Sequence, residues 1–143
     1  MRVLSIRAPW WAYILFGGKD IENRDWRTNY RGPVLIHASK WFDLEEVAED
    51  AAWARSVREA HSTASAMPQF TYRSLKAAGG SIVGMVDLID CVSASDSPWF
   101  QGDYGFVLQK PRVFREPIPC RGHLGLFIPS DEVMAAVHAQ LAA

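Results

Sequence analysis

Gly17-Gly18-Lys19-Asp20-Ile21-Glu22-Asn23-Arg24-Asp25-Trp26 is the stretch around which the chain organises itself. A glycine pair closes one apolar run, and a second run opens three residues later. If residues 21–26 form a strand, side chains alternate across it, so Glu22, Arg24 and Trp26 share one face. Lys19, just before the strand, leans over that face. An ammonium, a carboxylate and a guanidinium then stand together beside an indole, a cluster suited to a flat, polar, partly anionic ligand. The structural alternative is a surface ion pair at a strand end.

The flanking blocks extend this reading. Val3-Leu4-Ser5-Ile6 has the pattern of a short strand. Pro9 sits where a helix can begin, and 10–16 is a compact apolar helix stopped by Gly17-Gly18. Tyr13 lies on that helix. A turn at 27–32 carries Arg27, Tyr30 and Arg31, and Pro33-Val34-Leu35-Ile36-His37-Ala38 is an apolar run expected to be a strand buried on both faces. His37 ends that run ahead of Ser39, Lys40 and Trp41, and on this pattern it is first a core histidine.

From Asp43 the apolar period changes to that of a helix, capped by Asp43 with Glu46 three residues on and reaching about residue 59. Trp53 on it is read as packing. Residues 61–68 read as a loop, 70–78 as a short helix closed by Gly79-Gly80, and 81–92 as a long strand with Gly84 marking a bulge. A turn-rich loop at 93–102 holds an exposed-looking Trp99 and Phe100, which either close over a site as a lid or belong to a packed loop. Strands follow at 104–109, 113–115 and 123–128, then a helix at 131–141 capped by Ser130. No phosphate-binding glycine loop follows the first strand. Short, mostly non-consecutive strands with helices between them predict an α+β fold, a small mixed β-barrel with flanking helices in a single domain spanning 1–143.

Composition bounds the function. The 143 residues are 49% apolar and 22% charged, with six Trp, enough to build a core and to line a site. Net charge is −1, which disfavours nonspecific duplex binding through counterion release. The charge is unevenly placed: residues 1–42 hold seven Lys/Arg against three acids, and residues 43–59 six acids against two Arg. The local positive charge suits a small anionic ligand or a single strand. Cys91 and Cys120 have no metal or redox spacing and read as reduced thiols. No leader or membrane-length apolar run is apparent, so a cytoplasmic protein without membrane partners is expected. Ser5, Ser39 and Ser95 lack a G-x-S-x-G context, and no serine-hydrolase triad is expected.

The blocks Leu4-Ser5-Ile6-Arg7-Ala8-Pro9-Trp10, Gly17 to Arg24, and Tyr30-Arg31-Gly32-Pro33-Val34-Leu35-Ile36-His37-Ala38, in this order, resemble the ASCH domain family, which has a PUA-like fold. Gly17, Lys19, Glu22 and Arg24 meet its G-x-K-x-x-E-x-R pattern. The segments at 102–106 and 122–126 are similar to its closing strands. The resemblance covers nearly the whole chain apart from 60–78. It implies a barrel with a cleft floored by the Lys, Glu and Arg, and a protein that binds RNA or modified nucleosides. Some members hydrolyse the amide of N4-acetylcytidine, and at least one is a metal-dependent ribonuclease.

Carried onto this chain, the resemblance leaves three readings. The first is an amidohydrolase removing an N4-acyl group from cytidine, with Lys19 as base, Glu22 orienting water or substrate and Arg24 as electrostatic frame. The small amidohydrolases of the family have Thr where Glu22 stands, and their later Glu has only Asp96 or Asp103 as counterparts here. The second is a noncatalytic reader of RNA or a modified base, stacking it on Trp10, Trp26, Tyr30 or Trp99, with Arg31, His37, Ser39, Lys40 and Asp103 completing the substrate contacts. The third is a ribonuclease, in which a Lys or Arg stabilises the phosphate and the catalytic proton handler is Tyr13 or His37, and for which Glu22 with Asp25 makes a poor metal cage. The leading reading requires no cofactor and no metal.

Overall fold

The computed structural model describes residues 1–61 and 66–143. Among them, six strands form one mixed sheet: β1 (Arg2–Ile6), β2 (Ile21–Arg24), β3 (Gly32–Ala38), β4 (Ser81–Val92), β5 (Tyr104–Pro119) and β6 (Leu126–Phe127). Their spatial order is β2-β5-β4-β3-β1-β6, with β1 parallel to β3 and the other pairings antiparallel. The sheet curls into a half-barrel flanked by α1 (Trp10–Phe16), α2 (Leu44–His61), α3 (Tyr72–Ala77) and α4 (Asp131–Ala142). The α+β, PUA-like expectation holds. None of the described helices is long and apolar enough to cross a membrane.

Period-2 alternation divides the sheet residues between two cores. On β1 and β3, Leu4, Ile6, Val34 and Ile36 face α1 and join Trp11, Ile14 and Phe106. Val3 and Leu35 face the opposite way, with Ile82, Phe114 and Val137 of α4. Ser5 and His37, each two residues further along its strand, continue that second face to the rim of the sheet. A third cluster of Tyr13, Ile21, Ala54, Val57 and Trp99 binds α2 to the helix α1 and to the 93–102 loop.

Two glycines set the position of α1. A Cβ on Gly84 would lie 2.4 Å from the Arg112 carbonyl oxygen and 2.8 Å from Leu15, so only glycine lets α1 settle onto β4. At the other end of α1, Gly18 adopts φ +78° and turns the chain back on itself. The N–H groups of Gly17 and Lys19 both donate to the Tyr13 carbonyl, at 2.9 and 3.1 Å. Lys19 is thereby fixed to the helix end, immediately ahead of β2.

Several boundaries differ from the expected ones. The strands anticipated at 104–109 and 113–115 are one strand, β5, that carries Pro111 within it. Around that proline the β4–β5 register shifts between Met85 and Asp87, and Lys110 takes φ 53°. The missing N–H thus falls at a bulge and costs no ladder bond. The strand expected over 123–128 contracts to Leu126–Phe127, an edge pairing with Val3 and Leu4. β2 stops at Arg24, so Trp26 lies past the strand. The loop anticipated over 61–68 falls at 62–65 outside the described residues. Asp43 caps α2 as expected, its Oδ1 accepting from the Glu46 N–H at 3.1 Å.

A candidate binding and catalytic cleft

Lys19, Glu22 and Arg24 form a chain of three charges. The Lys19 ammonium donates to the Ile21 carbonyl and lies 3.4 Å from Glu22 Oε1. Arg24 takes the other carboxylate oxygen, with Nε at 3.1 Å and Nη2 at 2.9 Å from Oε2. Nη2 also donates to the Ser5 carbonyl at 2.9 Å, which anchors the guanidinium to β1. Lys19 and Glu22 are only 4% and 6% exposed. A charged pair so deeply placed is retained at a desolvation cost that solvent-exposed pairs do not bear. Burial is the main cause that lowers the Lys19 pKa below that of an ordinary lysine; Glu22 opposes the shift and Arg24 adds to it. The ammonium also sits 5.4 Å from the centre of the Trp10 ring.

These groups floor a cleft of about 720 Å³. Its walls are Trp10, Trp41 and Trp53, and Asn23, Asp50 and Gln101 supply polar edges. A second cavity of about 920 Å³ opens from it, lined by His37, Lys40 and the 119–125 segment. Ser5, Arg24, Ser39 and Trp41 line both, so the two are arms of one groove. In the second arm His37 accepts or donates at both nitrogens: Nδ1 lies 2.9 Å from Ser5 Oγ and Nε2 lies 2.7 Å from the Cys120 carbonyl oxygen.

Of the residues singled out in the sequence, Trp10, Lys19, Glu22, Arg24 and Ser39 meet in the first arm, and His37, Ser39 and Lys40 in the second. Six others lie elsewhere. Tyr13 is 7% exposed beneath α2, its ring 6.1 Å from that of Trp99, and burial raises its pKa. Trp26 packs edge-on against Phe106, with ring centres 5.1 Å apart. The Tyr30 hydroxyl donates to the Pro33 carbonyl at 2.7 Å, and Arg31 reaches Asp90 at 3.6 Å. Asp103 is exposed and outside the groove.

Trp99 takes the packed one of its two alternatives. Exposed-looking in the sequence, it is 5% exposed, wedged between Tyr13 and Trp53. Its loop is tied down by Asn23, whose amide donates to the Trp99 carbonyl at 2.9 Å and accepts from the Gln101 N–H at 2.8 Å. Trp99 packs and does not close over the cleft.

Sequence reasoning named Trp41, read Trp53 as packing and set Ser5 aside as a hydrolase serine, and gave none of the three a place in the cleft. Trp41 is 44% exposed, with the Arg7 guanidinium 4.9 Å from its ring centre. Its signal was present in the Ser39-Lys40-Trp41 run that follows a buried strand, a polar and aromatic segment leaving the sheet at its rim. Trp53 belongs to α2, and which wall it forms depends on how that helix crosses the sheet.

The ASCH domain, as a family profile, matches residues 4–111. Activating signal cointegrator 1 of Homo sapiens is 31% identical over 134 residues, covering 84% of this chain and 21% of that protein. Its Mus musculus counterpart is 30% identical over 129 residues, again 84% of this chain and 21% of the relative. The chain therefore spans about a fifth of the length of the curated relatives it matches.

Proposed function

The chain belongs to the ASCH domain family, and on that footing we propose that its groove binds a modified nucleoside or single-stranded RNA and removes an N4-acyl group from cytidine. The observation that carries the reading is the buried lysine at the cleft floor. Burial disfavours the charged form of this amine, so its neutral, proton-accepting form is more accessible than that of an exposed lysine. Lys19 acts as base. Glu22, with its two oxygens divided between Lys19 and Arg24, orients that base and keeps the cation frame in register. Arg24 stabilises the negative charge that develops on the amide oxygen. Trp10, Trp41 and Trp53 offer faces on which the base stacks.

Incubation with N4-acetylcytidine, free and within a short RNA, followed by chromatography, tests this. Cytidine released by the wild type and not by Lys19→Ala supports the hydrolase. Unchanged substrate that nevertheless binds, with affinity lost in Trp41→Ala, supports a noncatalytic reader instead. That second reading is favoured by the three indoles around the cleft, which serve binding without any activated nucleophile. RNA fragments that persist through repurification and vanish in a cleft variant would support a ribonuclease.

A further inference from the structure

Ser5 and His37 occupy partnered positions in the parallel pairing of β1 and β3. Ser5 Oγ lies 2.9 Å from His37 Nδ1, and His37 Nε2 lies 2.7 Å from the Cys120 carbonyl oxygen. A carbonyl oxygen only accepts, so Nε2 carries the ring proton in the neutral imidazole. Nδ1 is then a lone pair, and the Ser5 hydroxyl donates to it. This tautomer, fixed by a partner on the far nitrogen, is what a serine needs in order to surrender its proton. Burial, with His123 nearby, holds the His37 pKa below its usual value and leaves Nδ1 free to accept.

From this geometry we propose that Ser5 is the nucleophile and His37 the general base of an acyl-transfer site at the junction of the two arms, cleaving short-chain carboxylic esters. Ser5 lines both arms and is only partly buried, so an acyl group in one arm and its leaving group in the other would place the reacting carbon at Oγ. Arg24, the cation common to both arms, is pinned to the Ser5 carbonyl and puts fixed positive charge beside the developing oxyanion. Gly122 lets the 119–125 segment approach: a Cβ there would lie 3.4 Å from Ser5 Oγ and 3.0 Å from His37 Cε1. A carbonyl orients the imidazole without countering the imidazolium charge as a carboxylate does, which selects esters over the poorer leaving groups of amides. This activity does not depend on Lys19 and stands apart from the deacylation proposed above.

The step balances. Oγ bonds to the ester carbon as its proton passes to Nδ1; the carbon–alkoxy bond then breaks and the alcohol leaves with that proton. Water attacks the acyl-serine, giving a proton to Nδ1, and Oγ recovers it as the carboxylic acid departs.

The alternative is a hydrogen bond that only fastens β1 to β3. Wild-type protein treated with diisopropyl fluorophosphate, which a serine oxygen attacks with loss of fluoride, distinguishes the two by peptide mapping. The expected result is a phosphoryl adduct on Ser5, with hydrolysis of p-nitrophenyl acetate lost on labelling. His37→Gln should slow labelling by roughly 10²-fold, the scale of general-base assistance. His138→Gln, at an exposed position of α4 outside the groove, should label at the wild-type rate whether or not N4-acylcytidine is a substrate. Absence of an adduct, an adduct on another residue, or labelling unaffected by His37→Gln in a variant with a wild-type circular dichroism spectrum would overturn the assignment. Mapping in the wild type requires no substitution to fold.

Discussion

Arg24 grips a single oxygen of Glu22 through two nitrogens, at 2.9 and 3.1 Å, and leaves the other oxygen to Lys19 at 3.4 Å. Among the described residues Glu22 is thus the only carboxylate in this contact chain, holding one cation that is almost fully buried and one that is partly exposed. Removing its charge strands Lys19. Glu22→Gln should destabilise the fold by about 3–5 kcal/mol at neutral pH, as for breaking other buried pairs. The double variant Lys19→Met/Glu22→Gln should recover much of that loss, a coupling readable from urea denaturation.

The pH dependence of that penalty follows from Lys19. Its pKa in the folded protein lies below the value of 10.5 for an unperturbed lysine. Between the two values the unfolded chain binds more protons, so stability rises with pH. Without Glu22 the folded pKa falls further, and the window widens downward. The Glu22→Gln penalty should therefore shrink as pH rises toward 10.5; a penalty that grows would contradict this.

His37 produces a step in the acid range. Burial lowers its folded pKa below 6.5, so the stability it permits is complete above that pH and is lost as pH falls through the folded value. His123 and the Cys120 carbonyl face the same ring and are unchanged in His37→Gln. Denaturation midpoints measured from pH 8 to pH 4 should fall more steeply in the wild type than in His37→Gln.

Trp99 and Trp41 should separate stability from binding. Trp99→Ala removes a buried indole that touches Tyr13 and Trp53, at a cost of about 3–5 kcal/mol. Trp41→Ala, at an exposed ring, should leave the denaturation midpoint nearly unchanged. It should weaken binding of a single-stranded oligonucleotide by about 1–3 kcal/mol, the scale of one base–aromatic stack.

Gly84→Ala should cost about 1–3 kcal/mol, because its Cβ has no room between the Arg112 carbonyl and Leu15. Thermal denaturation checks this, and a companion Leu15→Ala should relieve only the part of the strain that Leu15 imposes.

What could be read from the sequence was mostly local. The glycine pair, the apolar helix before it and the run from Pro33 to Ala38 announce themselves by composition and period, and β4 by its long, mostly apolar run. The K-x-x-E-x-R spacing brings three charges together because α1, its glycine turn and β2 are contiguous. Legibility ends where neighbours are distant in the chain. Pro111 reads as a break unless the bulge opposite Met85 and Asp87 is known. Trp99 looks exposed in a turn-rich loop because its burial depends on α2 and Asn23. Ser5 and His37 are 32 residues apart, and only the parallel register of β1 with β3 makes them partners.

The central claim, that ligand occupies the groove above Lys19, Glu22 and Arg24, is tested most directly by the indole N–H resonances in a ¹⁵N NMR titration with N4-acetylcytidine. Trp10, Trp41 and Trp53 line the first arm and should shift together, with Trp11 and Trp26 unmoved. Shifts confined to Trp26, or no shift at any tryptophan at saturating ligand, would place the ligand elsewhere or nowhere on this protein.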